Sequence, residues 1–215
     1  MTIPLATHFV PLQFALALYA LSDLTAALRV GFEAPRNAVK GEWARLVPTI
    51  ALGTALGVTV LVNLPRQAGM LALGAFVFGY ALYSLFRRES ATVVPSAWGW
   101  FAGLMGGITS TVFGAGGPPY AIYLSHRGLD KAQFRATMGF ATLTSISLRI
   151  VAFLVTGLLL DPRVWVLAIG VVPAALAGTW VARHIFLRIS REQLLRAVAV
   201  VLLVTGGSLV LRALH

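Results

Sequence analysis

The chain has 215 residues, of which 58% are hydrophobic and only 11% are charged, and its mean hydropathy is +0.84. A soluble domain carries about 25% charged residues, so this composition excludes an ordinary soluble domain and predicts a membrane protein. The formal charge of +10 lies mostly in short segments between apolar runs, where Lys and Arg set orientation in the membrane, and it does not indicate a nucleic-acid partner.

Seven apolar runs follow one another along the chain, each near the length of about 20 residues that crosses a bilayer as a helix. The runs are continuous and lack the alternation of barrel strands, so they predict an all-α, polytopic helical membrane protein. The first residues lack the basic region of a cleavable signal peptide. The predicted spans are 9–31, 46–64, 68–86, 98–124, 136–160, 164–184 and 193–214.

The fourth run contains the sequence GAGGPP, from Gly114 to Pro119, although glycine and proline break helices. Broken backbone at membrane depth is tolerated where it is buried in protein or lines a cavity. Prolines suit the first turn of a helix, and free amides at such a helix start bind anions. The candidate anion donors are therefore the free amides from Ala115 to Gly117, with the hydroxyls of Thr109, Ser110 and Thr111 on the preceding arm.

Three further glycines of this run, Gly103, Gly106 and Gly107, have a simpler interpretation. Small residues spaced three or four apart let two helices approach closely. We therefore expect these three glycines to serve helix packing.

The loop charges bear on whether run 98–124 crosses the membrane once or returns to its starting side. With a single crossing, 14 loop arginines and lysines divide seven to seven between the two faces. With a return, the division becomes eleven to three, and only Arg66, Arg163 and Arg212 lie on the far side. The positive-inside rule therefore favours a re-entrant hairpin with the basic loops in the cytoplasm.

The chain also contains a weak internal repeat. The segment 46–67 aligns without gaps on 171–192, and upstream Gln13-Phe14 and Leu28-Arg29 match Gln133-Phe134 and Leu148-Arg149. We predict two related repeats, 1–90 and 91–215, that are inverted if 98–124 is a hairpin, as in many secondary transporters. The aligned identities are Val47/Val172, Pro48/Pro173, Gly53/Gly178, Thr54/Thr179 and Arg66/Arg191.

Arg149 lies deep within the fifth run, where an arginine is costly and usually faces the bundle interior or a water-filled path. It is either an anion ligand or gate, or a packed arginine satisfied by backbone carbonyls. Asp23 is the only acidic residue inside a predicted span, and it either relays a proton or pairs with a cation such as Arg149. Arg29 is a second candidate for coupling, although its place near a span end favours snorkelling to the interface.

The sequence gives little support for a metal site, an enzyme or a cation transporter. The histidines and carboxylates are scattered and predict no metal site, and no nucleophile–His–Asp arrangement suggests an enzyme. No cofactor is predicted, and the absence of cysteine excludes disulfides and thiolate chemistry. Cation transport is disfavoured because intramembrane carboxylates are nearly absent.

The stretch FAGLMGGITSTVFGAGGPPYAIYLSHRGLDKAQFRATMGFATLTSISLRIVAFLVTGLL resembles the second-half signature of the TauE/SafE family of membrane transporters. The resemblance rests on a Gly-rich segment ending in Gly-Gly-Pro, a following Tyr-Leu, a short loop, and a helix that begins with FRAT. It is strong over about residues 100–160, and Leu46 to Arg88 resembles the family's middle helices.

The resemblance implies an inner-membrane permease, built from two related halves, for small sulfur-containing anions such as sulfite or sulfonates. It implies that Gly114, Gly116, Gly117, Pro118 and Arg149 line the anion path. Family members open with a Gly-rich segment of their own, and we expect this chain to lack it. A second protomer could then complete the site in a homo-oligomer. The alternative is a non-transporting membrane scaffold or a truncated relic of a transporter.

Overall fold

The structure is a computed structural model, and it describes residues 3, 6, 10–32, 35–86 and 93–186. These residues form seven α-helices and one short 3-10 turn, Pro35–Asn37, with no strand among them, which confirms the all-α prediction. The predicted span 193–214 lies outside the described residues. In chain order the helices are α1 (Leu12–Gly31), α2 (Lys40–Asn63), α3 (Arg66–Phe86), α4 (Trp98–Phe113), α5 (Gly117–Ser125), α6 (Lys131–Val155) and α7 (Pro162–Phe186).

Two of the described helices, α2 and α6, are long and apolar enough to cross a membrane, each with a mean hydropathy of 1.8. The start of α6 differs from the predicted span because Asp130 caps it: its side chain accepts a hydrogen bond from the Gln133 amide at 2.8 Å, and the Gln133 side chain accepts one from the Asp130 amide at 3.2 Å. The end also differs, since Gly157 turns the chain with a φ of 81°. The seven spans remain a prediction.

The main apolar core surrounds α1, which packs against α6 and α7. Small residues of α1 let these helices approach, and Leu16, Ala17 and Ala20 are all fully buried. They lie in one cluster with Phe153 of α6 and Val164 of α7. Burial of this apolar surface holds α1 centrally and places its polar residue Asp23 inside the bundle.

Among the described helices, α2 and α4 form the most extensive pair, through two facing GxxxG patterns. A Cβ at Gly53 of α2 would lie 2.2 Å from the carbonyl oxygen of Leu104, and one at Gly107 of α4 would lie 2.5 Å from that of Ile50. Gly103 likewise faces α2, while Gly106 faces α5. The packing role expected for Gly103, Gly106 and Gly107 is therefore confirmed.

The helix break predicted within 98–124 falls at residues 114–116. Gly114 ends α4 in the left-handed conformation, with a φ of 66°, which glycine adopts without strain. The chain then reverses, and the amide of Val94 before α4 donates to the carbonyl of His126 after α5 at 3.0 Å. We refer to α4, the break and α5 together as the hairpin, since its two outer ends lie side by side.

The proposed repeat is untested by this architecture and stays a prediction. Gly53 and its aligned counterpart Gly178 differ in their surroundings: an added Cβ at Gly178 would meet no described atom within 4 Å. The side chain of Thr179, aligned with Thr54, lies outside the described part of the chain.

Candidate functional site

A cavity of about 580 Å³ lies between α1, the hairpin and α6, within the range of about 300–1,000 Å³ typical of small-molecule sites. Its wall on α6 is one helical face, because the lining residues recur every three or four positions. At about 1.5 Å per residue, the face is about 22 Å long. The lining residues from α6 run from Phe134 and Arg135 through Met138, Gly139, Thr142, Ser145 and Ile146 to Arg149.

Arg149 lies at the deep end of this face and is only 1% exposed. Its Nη1 donates to the carbonyl of Ser110 at 2.8 Å, and its Nη2 donates to Oδ2 of Asp23 at 2.7 Å. Its Nε is buried and has no hydrogen-bond partner among the described residues. The structure is thus compatible with both interpretations of Arg149. The Ser110 carbonyl satisfies one nitrogen, as in a packed arginine, and Nε is left as a donor for an anion.

Asp23 is the acidic partner of Arg149, and the side chain of Asp23 is 38% exposed. It lines the cavity, and it also lines a second cavity of about 540 Å³ between α1 and α7. The pairing of Asp23 with Arg149, one of the two alternatives drawn from the sequence, is thus present as an ion pair between α1 and α6. The carboxylate stands where two cavities meet.

The backbone at the helix break provides fewer free amides than expected. The amide of Gly114 donates to the carbonyl of Ser110 at 3.0 Å, and that of Ala115 donates to the carbonyl of Thr109 at 3.1 Å. No described residue accepts a hydrogen bond from the amides of Gly116 and Gly117. The prediction of free amides from Ala115 onward is therefore wrong for Ala115, because closing the end of α4 uses its hydrogen.

The hydroxyls of Thr109 and Thr111 turn back onto their own helix. Thr109 Oγ1 donates to the carbonyl of Met105 at 2.9 Å, and Thr111 Oγ1 donates to that of Gly107 at 2.9 Å. This bonding to the preceding turn is common for threonine within helices. Neither hydroxyl reaches the cavity in this structure.

The predicted site residues therefore fall into two groups. Thr109, Thr111, Ala115 and Pro118 do not line the cavity, and Arg29 is exposed on α1 and does not line it either. The structure brings the other predicted residues together around one space: Asp23, Ser110, Gly114, Gly116, Gly117 and Arg149.

Comparison with known proteins agrees with the architecture. Residues 1–209 match the sequence profile of the family described as sulfite exporter TauE/SafE. The chain belongs to the TauE/SafE family. This membership places it among membrane transporters. No curated protein and no solved structure matches the chain significantly.

In this TauE/SafE chain, a contact between Tyr120 and Ser145 was not predicted from the sequence. The Tyr120 hydroxyl donates to Ser145 Oγ at 3.1 Å, and both residues line the cavity. Gly106 makes room for the tyrosine, since a Cβ there would lie 2.0 Å from the ring. The only signal in the sequence was the position of Tyr120 directly after the two prolines.

Arg135 is a second arginine in the cavity wall, and it is exposed near the start of α6. The 14 positions between Arg135 and Arg149 place it at the opposite end of the lining face. A positive charge at a cavity mouth raises the local concentration of anions. Arg135 was assigned from the sequence only to the set of basic loop residues.

A polar cluster ties the outer ends of the hairpin to α2. Glu42 is 6% exposed, and its Oε1 accepts from Arg127 Nη2 at 2.8 Å and from Arg127 Nε at 3.1 Å. Arg127 Nη1 donates to the carbonyl of Val94 at 2.7 Å, and the Tyr123 hydroxyl donates to Glu42 Oε2. The hydrogen bonds that Arg127 donates to Glu42 raise the pKa of the guanidinium, so Arg127 stays charged.

Sequence reasoning missed this cluster because Glu42 lies outside the apolar run 46–64. The cluster also orients the bundle. It places the start of α2 beside both outer ends of the hairpin, and the amide of Val39 donates to Thr137 near the start of α6 at 2.9 Å. The cavity mouth at Arg135 therefore lies at the end of the molecule that carries this cluster.

Proposed function

We propose that this TauE/SafE protein is a secondary transporter that binds a small sulfur-containing oxyanion, such as sulfite or a sulfonate, beside Arg149. The observation that carries the proposal is a fully buried guanidinium in the cavity wall whose Nε lacks a described partner. A buried donor without an acceptor costs free energy, and an oxyanion oxygen is the acceptor that a guanidinium binds most strongly.

The helix break is a second, independent reason to expect an anionic ligand. A Cβ at Gly114 would lie 3.4 Å from Nη1 of Arg149, so the guanidinium sits against the break. The amides of Gly116 and Gly117 and the positive end of α5 lie along the same cavity wall. Amides at a helix start attract negative charge. An anion with three oxygens has enough acceptors for both donor sets.

The proposed topology has seven membrane segments in two inverted repeats, 1–90 and 91–215, with the hairpin re-entrant from the basic face. The protein lies in the inner membrane with its basic loops in the cytoplasm, and the cavity mouth at Arg135 faces the same compartment. The near contact between the outer ends of the hairpin supports this topology. A homo-oligomer remains a proposal for its assembly.

Flux into liposomes tests the function. Liposomes that contain the wild-type chain should take up labelled sulfite or methanesulfonate faster than empty liposomes. Arg149→Gln should reduce the flux at least tenfold, and Arg163→Ala, which removes an exposed arginine outside the cavity, should leave it unchanged. A folded wild-type chain that moves neither anion contradicts the proposal and favours a non-transporting membrane protein. Equal flux through Arg149→Gln removes the assigned ligand.

A further inference from the structure

The ion pair at the deep end of the cavity leaves part of the Arg149 guanidinium without a described partner. A guanidinium binds an oxyanion best through two parallel hydrogen bonds, and the side-on edge of Arg149 consists of Nε and Nη2. Asp23 holds Nη2 at 2.7 Å, while Nε has no described partner and Nη1 is held by Ser110. Because Nη2 carries two hydrogens, an oxyanion can bind Nε and Nη2 side by side, and it then competes with the Asp23 carboxylate for the same positive charge.

The charges of Asp23 and Arg149 constrain how an anion can bind at this depth. Arg149 and Asp23 balance each other, so an added anion would leave two negative groups beside one positive group. A nearby like charge disfavours the ionised form of a carboxylate, and in a confined cavity the repulsion is poorly screened. Uptake of a proton by Asp23 removes the repulsion and the competition for Arg149 together.

The other described groups around Asp23 do not offer an alternative proton site. The charged or titratable residues that line the two cavities with it are Arg149 and Arg135 on α6, Tyr120 on α5 and Tyr19 on α1. The other described lining residues are Ser110 of α4, Gly114 of the break, and Val171, Ala174, Ala175, Leu176 and Gly178 of α7, among others without charge. None of these described lining residues is a histidine, lysine or second carboxylate. Among the described lining residues, Asp23 is thus the group that can exchange its charge for a proton.

The Asp23 carboxylate is also less enclosed than the guanidinium with which it pairs. The side chain of Asp23 is 38% exposed, whereas Arg149 is 1% exposed. The carboxylate also faces both cavities, the one beside the hairpin and the one between α1 and α7. Water in either cavity can reach it while the guanidinium stays in place.

We propose that Asp23 is the binding site of a co-transported proton, taken up as an oxyanion replaces the carboxylate as the ionic partner of Arg149. The inference rests on the proposed function. In this exchange the Asp23–Arg149 ion pair breaks, one proton from water adds to the Asp23 carboxylate, and an Arg149–anion pair forms. A monovalent anion and one proton then bind together without a change in net charge.

Methanesulfonate is the probe, because its own charge does not change between mildly acidic and neutral pH. Calorimetric titration of the whole chain in detergent, repeated in buffers of different ionisation enthalpy, measures protons taken up per anion bound. We expect close to one proton per anion, and an affinity that rises as the pH falls, by up to about tenfold per pH unit. The measurement uses the unaltered chain and does not depend on how a variant folds.

Two variants separate the outcomes. Asp23→Asn should bind methanesulfonate with no proton uptake and a flat pH profile, whereas Asp161→Asn, which changes a carboxylate outside both cavities at the start of α7, should behave as wild type. Binding that requires Arg149 but takes up no proton overturns this inference and leaves the proposed function standing. A folded Asp23→Asn that no longer binds also overturns it. Absence of Arg149-dependent binding in the wild type contradicts both.

Discussion

Arg149 of α6 and Asp23 of α1, which lie 126 positions apart in the chain, form an ion pair of 2.7 Å at the deep end of the cavity. The pair joins the first described helix to the helix that follows the hairpin. It also touches the helix break, since Nη1 of Arg149 donates to Ser110 in the last turn of α4. Structural support of the bundle and recognition of an anion therefore depend on the same guanidinium.

The first prediction concerns removal of the acidic partner. Asp23→Ala leaves Nη2 of the buried Arg149 without its acceptor. Breaking a fully buried pair costs about 3–5 kcal/mol, and the partial exposure of Asp23 makes the expected cost smaller. Asp23→Asn retains an oxygen acceptor and should cost less. Methanesulfonate should then stabilise Asp23→Ala more than wild type, because the anion binds only the folded state and meets no competitor. Thermal unfolding in detergent with and without the anion measures both effects.

The control is Asp161→Ala, which removes a carboxylate that accepts from the Arg163 amide at the start of α7. It should lower stability by about 1 kcal/mol through loss of the cap, with no additional rescue by the anion. If methanesulfonate stabilises Asp161→Ala as much as Asp23→Ala, the competition assigned to Asp23 is wrong.

The second prediction concerns the interface of α2 and α4. Gly53→Ala places a Cβ 2.2 Å from the backbone oxygen of Leu104, and backbone cannot rotate away, so the two helices must separate. We expect a loss of about 1–3 kcal/mol or more. The matched control is Gly178→Ala, because Gly178 is aligned with Gly53 and an added Cβ there meets no described atom. Equal unfolding temperatures for the two variants would contradict the close packing.

The third prediction compares how strongly Arg127 and Arg45, which both contact Glu42, are coupled to it. Arg127 is 19% exposed and makes two hydrogen bonds to Oε1, whereas Arg45 is 39% exposed and makes one at 3.1 Å. Arg127→Gln should therefore be coupled to Glu42→Gln by about 0.5–3 kcal/mol in a double-mutant cycle. Arg45→Gln should show no more than about 1 kcal/mol, as exposed pairs do. A larger coupling for Arg45 would show that the cluster does not hold the hairpin ends.

The fourth prediction concerns topology and uses the absence of native cysteine. Single cysteines at Asn37 before α2 and at Ser125 at the end of α5 should react with an impermeant thiol reagent from the same side of the membrane. A cysteine at Thr156, after α6, should react from the opposite side, because α6 starts beside the hairpin ends and crosses away from them. Labelling of Ser125 from the side that labels Thr156 would contradict the re-entrant hairpin.

The repeat adds a further position to the same experiment. Ser190, which lies outside the described residues, should be labelled from the side that labels Ser125 if the two repeats are inverted. Labelling from the other side would leave the hairpin in place and remove the inverted repeat.

The sequence predicted those features that follow from local chemistry. The helix break at GAGGPP, the packing role of Gly103 and Gly107, and the depth of Arg149 all come from residue type and distance to span ends. Close helix approach needs only small residues at the right spacing, and prolines fix where a new helix can start. These properties depend on short segments of sequence and can be predicted without the tertiary arrangement.

Long-range partners were harder to predict because they depend on helix rotation and register. Asp23 was left with two alternatives, and only the packing of α1 against α6 selects Arg149 as its partner. Glu42 was missed because it lies outside the apolar run, yet the fold buries it against Arg127. Thr109 and Thr111 were assigned as anion donors, but a helical threonine has a competing acceptor in the preceding turn.

The most direct test of the anion site is crystallographic. Selenite has the same shape and charge pattern as sulfite, and selenium gives an anomalous signal that locates it. Crystals of the whole chain soaked in selenite should show a peak in the cavity, within hydrogen-bonding reach of Nε and Nη2 of Arg149, and Arg149→Gln crystals should lack it. Wild-type crystals with selenium sites only outside this cavity, in a chain that moves sulfite in liposomes, would contradict the account.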